Sequence, residues 1–189
     1  MPYLQPATDT PFGAMPYNKV LRISKYRKDA SAARIYPGDF VIMEADGNVA
    51  PATAGALHII GVAADSSAGS TADTEVLIYD DPDQQFVVQD DSDTTAVSET
   101  EIGLNADIVA TAGNTVTDRS NHEIDSSSAL VATGQLRLQG LHPMELDMSR
   151  AGFATAAGQQ RKWIVTIMEH HLRNVNTTDT TSTFGPTGV

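Results

Sequence analysis

The fold is decided by residues 35–64, which read IYPGDFVIMEADGNVAPATAGALHIIGVAA. Short apolar runs rich in Val and Ile alternate in this stretch with the turn sequences Pro37-Gly38-Asp39 and Ala45-Asp46-Gly47-Asn48. Gly and Asn adopt the positive φ angles that a chain needs where it reverses direction, so the pattern is typical of a tight β-meander. It predicts an all-β domain, a small β-barrel or β-sandwich.

The rest of the chain favours the same fold class. Its 189 residues suffice for one domain with a sizeable core, while 14 Gly and 9 Pro interrupt it too often for long helices. On the last apolar run, residues 162–170, both strand faces are largely apolar, which predicts a central strand with Trp163 in the core. The predicted strands are Leu21–Tyr26, Asp39–Glu44, Ile59–Ala64, Glu75–Tyr79, Gln85–Gln89, Leu136–Leu141 and Trp163–His170, with shorter ones near Val109 and Val116.

Three further segments have weaker patterns. Ser98 is followed three residues later by Glu101, the spacing of a capping box, which predicts a short helical turn at Ile102–Ile108. Residues 111–128 are rich in Thr, Ser, Asn, Asp and Gly and are predicted to be loop with room for one strand pair. Residues 144–160 form a second predicted loop, and long loops of this kind often contact partners.

The two ends of the chain differ from its middle, so we divide it into an arm (1–17), a body (18–172) and a tail (173–189). Four prolines in the arm disfavour a helix or a central strand and predict an extended segment. The arm is either a disordered terminus or a clasp on a neighbouring subunit, and the clasp is favoured by five apolar anchors. These anchors are Tyr3, Leu4, Phe12, Met15 and Tyr17. The Thr/Ser-rich tail is predicted to be flexible or to wrap a partner.

The charge of the chain is unevenly distributed. The net charge is -12, but residues 1–34 sum to +4 and residues 35–160 to -17. An acidic body repels phosphate backbones, so nucleic acid is not an expected partner. The basic segment is either a solvated face or an edge that docks on an acidic surface. On the docking hypothesis the contributing residues are Lys19, Arg22, Lys25, Arg27 and Lys28.

Catalytic and metal-binding patterns are missing from the sequence. It contains no cysteine, no nucleophile elbow and no phosphate-binding glycine loop. His58, His122 and His142 are isolated in sequence, and the adjacent His170 and His171 point to opposite faces of a strand. We therefore expect no enzyme activity and no cofactor, although distant residues can still assemble a site in three dimensions.

Two clusters of aspartates resemble cation ligands but lack the spacing of a calcium loop. Residues 80–83 and 90–93 have neither the glycine nor the terminal glutamate of an EF-hand, so solvated turns are predicted at both. The sequence also has no apolar run of 18 residues and no signal-peptide pattern, so we expect a protein made in the cytoplasm that does not bind membranes.

Three blocks of the chain carry a resemblance to a known group of proteins. Residues 35–64, 76–89 and 162–170 resemble blocks of tailed-phage head decoration (capsid cement) proteins and related small phage structural proteins. The resemblance implies a β-tulip-like barrel on the outer surface of a virion, with the major capsid protein as partner and a homo-oligomer, favoured as a trimer. The alternative is a head-fibre or tail accessory module that binds a receptor or glycan, to which an aromatic content of 6% gives little support.

Overall fold

The computed structural model describes residues 10–67, 74–91, 96–128, 134–144 and 160–172. β-strands dominate these residues, which confirms the prediction of an all-β protein with a small barrel. The strands are β1 (Met15–Pro16), β2 (Ser24–Lys28), β3 (Phe40–Met43), β4 (Val49–Pro51), β5 (Ile59–Ala63), β6 (Thr74–Tyr79), β7 (Gln85–Gln89), β8 (Asn105–Ala106), β9 (Ile108–Asn114), β10 (Arg119–Ile124), β11 (Leu136–Leu141) and β12 (Lys162–Ile167). A 3₁₀ turn spans Glu99–Glu101.

Strands β2 to β6 form a closed barrel in the order β2-β4-β3-β5-β6. The turn between β3 and β4 depends on Gly47, whose φ of +83° is readily available only to glycine. Strand β6 then pairs with β2 along its length, from Ser24 opposite Ile78 to Lys28 opposite Thr74, and closes the cylinder. Closure leaves the barrel with an interior filled by Val, Ile and Ala side chains.

A five-stranded sheet lies beside the barrel in the order β1-β7-β12-β11-β8. Strand β12 occupies its middle, paired with β7 on one side and β11 on the other. Trp163 on β12 is 0% exposed, so the predicted central strand with a buried tryptophan is confirmed. A second apolar cluster, which includes Phe40 of the barrel and Phe86 of the sheet, joins the two units.

Strands β9 and β10 form an antiparallel ribbon, which is the strand pair allowed for in residues 111–128. The ribbon packs, close to its hairpin turn, where the N-terminal segment crosses the barrel. There, Ala14 N–H donates to the Gly38 carbonyl (2.9 Å) and Ser120 N–H to the Pro37 carbonyl (3.1 Å). A side chain at Gly13 would lie 2.4 Å from Ser120 Cβ, so only glycine permits this contact.

Several predicted elements differ from the structure. The predicted helical turn at Ile102–Ile108 is wrong, because that segment pairs as β8 and the start of β9. The capping residue was identified correctly, since Ser98 N–H donates to Glu101 Oε2 (2.7 Å), but it caps the earlier 3₁₀ turn. The short strand predicted near Val116 is also wrong, because this residue lies in the hairpin turn and is 92% exposed.

The arm is only partly within the described residues. Tyr3 and Leu4 lie outside them, as does the whole tail from residue 173. From Gly13 onward the arm is part of the body, because Ala14 is buried and β1 pairs with Phe86 and Val87 of β7.

Candidate docking surface and ligand cleft

The segment that links the sheet to the barrel exposes large apolar side chains. We call residues 15–25 the docking strip. Met15 is 54% exposed, Leu21 50% and Ile23 45%, and the neighbouring Leu77 on β6 is exposed as well. Isolated exposed apolar residues are ordinary, but several within one short segment indicate a contact surface.

Two cations of the docking strip are held by acids of its own chain. Arg22 Nε donates to Asp80 Oδ1 (2.8 Å), and the hydroxyl of Tyr26 donates to Asp80 Oδ2 (2.7 Å). Burial opposes the charge of Asp80, but the hydrogen bonds from Arg22, Tyr26 and Ser24 outweigh it and keep the pKa of Asp80 below its ordinary value. Lys25 Nζ bonds Glu75 (2.9 Å) at an exposed site.

The remaining predicted basic residues divide into two groups. Lys19 and Arg27 are exposed, as the docking hypothesis requires. The prediction for Lys28 is wrong: its side chain is 0% exposed, and its Nζ donates to the Asp29 carbonyl (2.8 Å). The reason is topological, because Lys28 lies where β2 pairs with β4 on one side and β6 on the other.

The other two predicted anchors, Phe12 and Tyr17, line a cleft that adjoins the docking strip and shares Met15 and Tyr17 with it. We call it the strap cleft, because the segment Thr10–Tyr17 forms one of its walls. Its volume is about 780 Å³, and the other walls are the end of the β9–β10 ribbon, β7, β12 and His142. The rings of Tyr17 and His142 meet edge to face with centroids 5.9 Å apart.

A buried cluster of Asp39, Ser120 and His122 has the residue types of a hydrolase triad but not its geometry. His122 Nδ1 accepts the N–H of Phe40 (3.1 Å), so Nε2 carries the proton and lies 3.6 Å from Asp39 Oδ1. The Ser120 hydroxyl bonds the carboxyl of Asp39, whereas a nucleophilic serine must give its proton to histidine. The cluster therefore lacks an activated nucleophile.

Burial controls the protonation of this cluster. It raises the pKa of Asp39 to about 6, although Ser120 and the N–H of Tyr36 bond the carboxyl. It lowers the pKa of His122 to about 4. His122 looks isolated in the sequence, because Asp39 and Phe40 lie more than 80 residues before it in the chain. The only local pattern at this cluster is the turn sequence Pro37-Gly38-Asp39, which indicates a turn and not a contact with His122.

The prediction of solvated turns is wrong for two aspartates, because Asp80 and Asp90 are buried. Asp90 accepts hydrogen bonds from Arg161 N–H (2.9 Å) and Trp163 Nε1 (3.2 Å). Burial raises the pKa of Asp90 to about 6 against these bonds. Through these hydrogen bonds, Asp90 links the end of β7 to the start of β12.

The described residues contain no group of three or more His, Asp or Glu side chains placed to hold a metal ion. His58 and His171 meet edge to face at 5.9 Å, and burial and the neighbouring His58 lower the pKa of His171. Within the described ranges, no helix is long and apolar enough to cross a lipid bilayer.

Comparison with known proteins adds no relative. No protein family, curated protein or solved structure matches the chain significantly.

Proposed function

We propose that this chain is a non-enzymatic virion structural protein that binds the outer surface of a phage capsid and stabilises the mature head. Its partners are the major capsid protein and further copies of itself, with a trimer favoured, and it is made in the host cytoplasm before assembly. The proposal is supported by the resemblance of three sequence blocks to decoration proteins and by the surface described above.

The observation that carries the proposal is the docking strip. Met15, Leu21 and Ile23 expose apolar area that a partner would remove from water, at a gain of about 25 cal/mol per Å². The strip belongs to the segment of the chain that is positive, +4 over residues 1–34 in a protein of net charge -12. An acidic surface complements it, and the body of another copy, at -17 over residues 35–160, is such a surface.

Such binding stabilises a shell by linkage. A protein that binds the assembled lattice, but not dissociated subunits, lowers the free energy of the assembled state by its binding free energy. Many symmetric copies multiply a modest contribution per site. The function needs a rigid body with an exposed contact surface and no catalytic group.

The test is re-binding of the purified protein to mature heads that lack it, with the copy number per head as readout. The double variant Leu21→Asp, Ile23→Asp should lose about tenfold or more in affinity, because two charges replace buried apolar contacts, while its melting temperature stays unchanged. Val116→Asp is the matched control, since this apolar residue is 92% exposed but lies on the ribbon tip. A stoichiometry unrelated to the lattice, or a double variant that binds as the wild type does, would refute the proposal.

A further inference from the structure

The strap cleft has the size and lining of a site for a small ligand. Its volume of about 780 Å³ falls within the range of roughly 300–1,000 Å³ that is usual for such pockets. From its geometry and chemistry we propose that it binds an acidic saccharide, with Arg119 on the sugar carboxylate. This function goes beyond capsid attachment and is argued from Arg119, Asn114, Asn121 and His142, which do not belong to the docking strip.

The cleft is positively charged in an acidic protein. Arg119, His142 and Lys162 come from three different elements and converge on it, and the described residues of its lining include no Asp or Glu. The chain as a whole has 24 Asp and Glu residues against 12 Lys and Arg residues, so a described lining that has Arg119 and Lys162 but no Asp or Glu departs from the average composition. Arg119 has no ion-pair partner among the described residues, and a guanidinium fork matches a carboxylate in geometry.

The polar side chains of the cleft retain unused hydrogen-bonding capacity. Asn114 Oδ1 accepts the N–H groups of Val116 (2.8 Å) and Thr117 (3.2 Å), which fixes the side chain and leaves its amide NH₂ to donate. Asn121 Nδ2 donates to the Ala112 carbonyl (2.8 Å), which leaves its Oδ1 to accept. A sugar ring has hydroxyl groups that both donate and accept, so it can use both amides.

Aromatic rings supply the apolar part of the site. Phe12 and Tyr17 line the cleft, and His142 packs edge to face on Tyr17 at 5.9 Å. The Nδ1 of His142 accepts the Met144 N–H (3.4 Å), which leaves Nε2 for a ligand. An aromatic face beside fixed donors suits the C–H face and the hydroxyls of a sugar.

An extended acidic peptide fits the cleft less well. A peptide that adds to a sheet needs the N–H and C=O groups of an edge strand. The five-stranded sheet ends at the cleft in β1, which has only Met15 and Pro16, and Pro16 has no N–H to donate. This edge therefore has few backbone donors for strand addition, whereas the side chains of Arg119 and Asn114 can donate into the cleft.

The test uses the full chain and oligogalacturonate as the probe, at ~0.15 M salt so that surface charges are screened. Oligogalacturonate should bind saturably, and its fully methyl-esterified form, which has no charge, should bind about tenfold more weakly or not at all. In ¹⁵N NMR spectra the largest shifts should fall on residues 114–121 and Tyr17. Arg119→Gln should weaken binding about tenfold, because one charge-assisted bidentate contact is lost.

Arg137→Gln is the matched control, because Arg137 is exposed on β11 and does not line the cleft. It removes the same charge and should leave saccharide binding unchanged. Equal effects of the two arginine variants, or equal binding of an oligoglutamate peptide, would overturn the proposal in favour of general attraction to anions. Head binding of Arg119→Gln should match the wild type, so failure of the saccharide site and failure of capsid attachment give different results.

Discussion

The two hydrophobic cores of the molecule contain different kinds of side chains. The buried members of the barrel core are all aliphatic, and they are Ile35, Val41, Val49, Ile60, Ala63, Val76 and Ile78. The sheet core contains Trp163 and Phe86, and polar side chains are buried at its margins. Asp90 bonds Arg161 and Trp163 there, and Gln135 Nε2 donates to the Ala56 carbonyl (2.7 Å) while its Oε1 accepts the Ile108 N–H (3.0 Å).

This difference in side-chain composition follows from the closure of the barrel. A closed barrel pairs its backbone groups from strand to strand, so its interior needs only apolar side chains of the right volume. The five-stranded sheet ends in β1 and β8, which have two residues each, so nearby loops have backbone groups without a strand partner. Buried side chains such as Asp90 and Gln135 supply the missing hydrogen bonds.

The largest expected effect comes from removing the centre of the sheet core. Trp163→Ala should lower the free energy of unfolding by about 3–5 kcal/mol, since transfer energy is lost and a cavity remains. Thermal and urea unfolding measure this change in the free energy of unfolding. Val116→Ala, at a residue 92% exposed, should change stability by less than about 0.5 kcal/mol. A normal melt for Trp163→Ala would contradict the central position of β12.

The second prediction concerns the pH dependence of the sheet core. Burial raises the pKa of Asp90 from 3.8 to about 6, so the folded protein binds more protons than the unfolded chain between these values. The stability due to Asp90 is therefore fully present below pH 3.8 and lost as the pH rises through about 6. The variant Asp90→Asn has no carboxyl to ionise at this position, so its free energy of unfolding should not fall in this way as the pH rises.

The measurement for Asp90→Asn is urea unfolding of variant and wild type at pH 4 and pH 7. The variant should gain about 2 kcal/mol relative to the wild type between the two pH values, at 1.36 kcal/mol per pKa unit, because pH 4 already lies slightly above the unfolded pKa. Asp39, with a raised pKa, and His122, with a lowered one, titrate in the same window with opposite signs. Both are common to the two proteins, so their contributions cancel in the difference. A pH-independent difference would show that Asp90 does not titrate there.

The third prediction addresses the barrel, where backbones approach closely. A Cβ at Gly61 would lie 2.1 Å from the Tyr79 carbonyl oxygen on the paired strand, so Gly61→Ala must displace β5 from β6. A loss of about 1–3 kcal/mol is expected, as for other overpacked sites. Gly140→Ala is the control, because nothing lies within 4 Å of its Cβ position. Equal stabilities of the two variants would mean that the barrel tolerates a wider strand spacing.

The smallest expected effect is at the barrel surface. Lys25 and Glu75 face each other across β2 and β6 with side chains 58% and 67% exposed. A double-mutant cycle to Ala should give a coupling of less than about 1 kcal/mol that falls with added salt. A larger coupling that does not respond to salt would show that this pair is structural, which would remove Lys25 from the residues available for docking.

Prediction from the sequence worked best for strands that are long and apolar. Residues 85–89 and 136–141 were predicted with the observed bounds, and β5 and β6 within one residue. Strands β1, β4 and β8 were missed, because they have two or three residues each and two of them contain a proline. Such strands form because a neighbouring strand is already in place, and no local pattern indicates that.

The candidate site was predicted less completely. Met15, Lys19 and Arg27 lie at the surface as the docking hypothesis requires, and the sequence pattern also predicts Phe12 and Tyr17, which line the cleft, as anchors. The cleft itself also needs Arg119, His142 and Lys162, which are far from Tyr17 in sequence. Their convergence depends on the packing of the ribbon and β12 against the N-terminal segment.

The sequence by itself determined the fold class, the central position of Trp163 and the division of charge between a positive N-terminal segment and an acidic body. These properties depend on local periodicity, turn residues and composition, which are additive along the chain. Only the tertiary structure decided that Lys28 and Asp90 are buried, that Asp39 meets His122, and that a basic cleft exists at all. Burial and proximity depend on contacts between residues distant in the chain, and a charged residue has the same local pattern whether a strand covers it or water does.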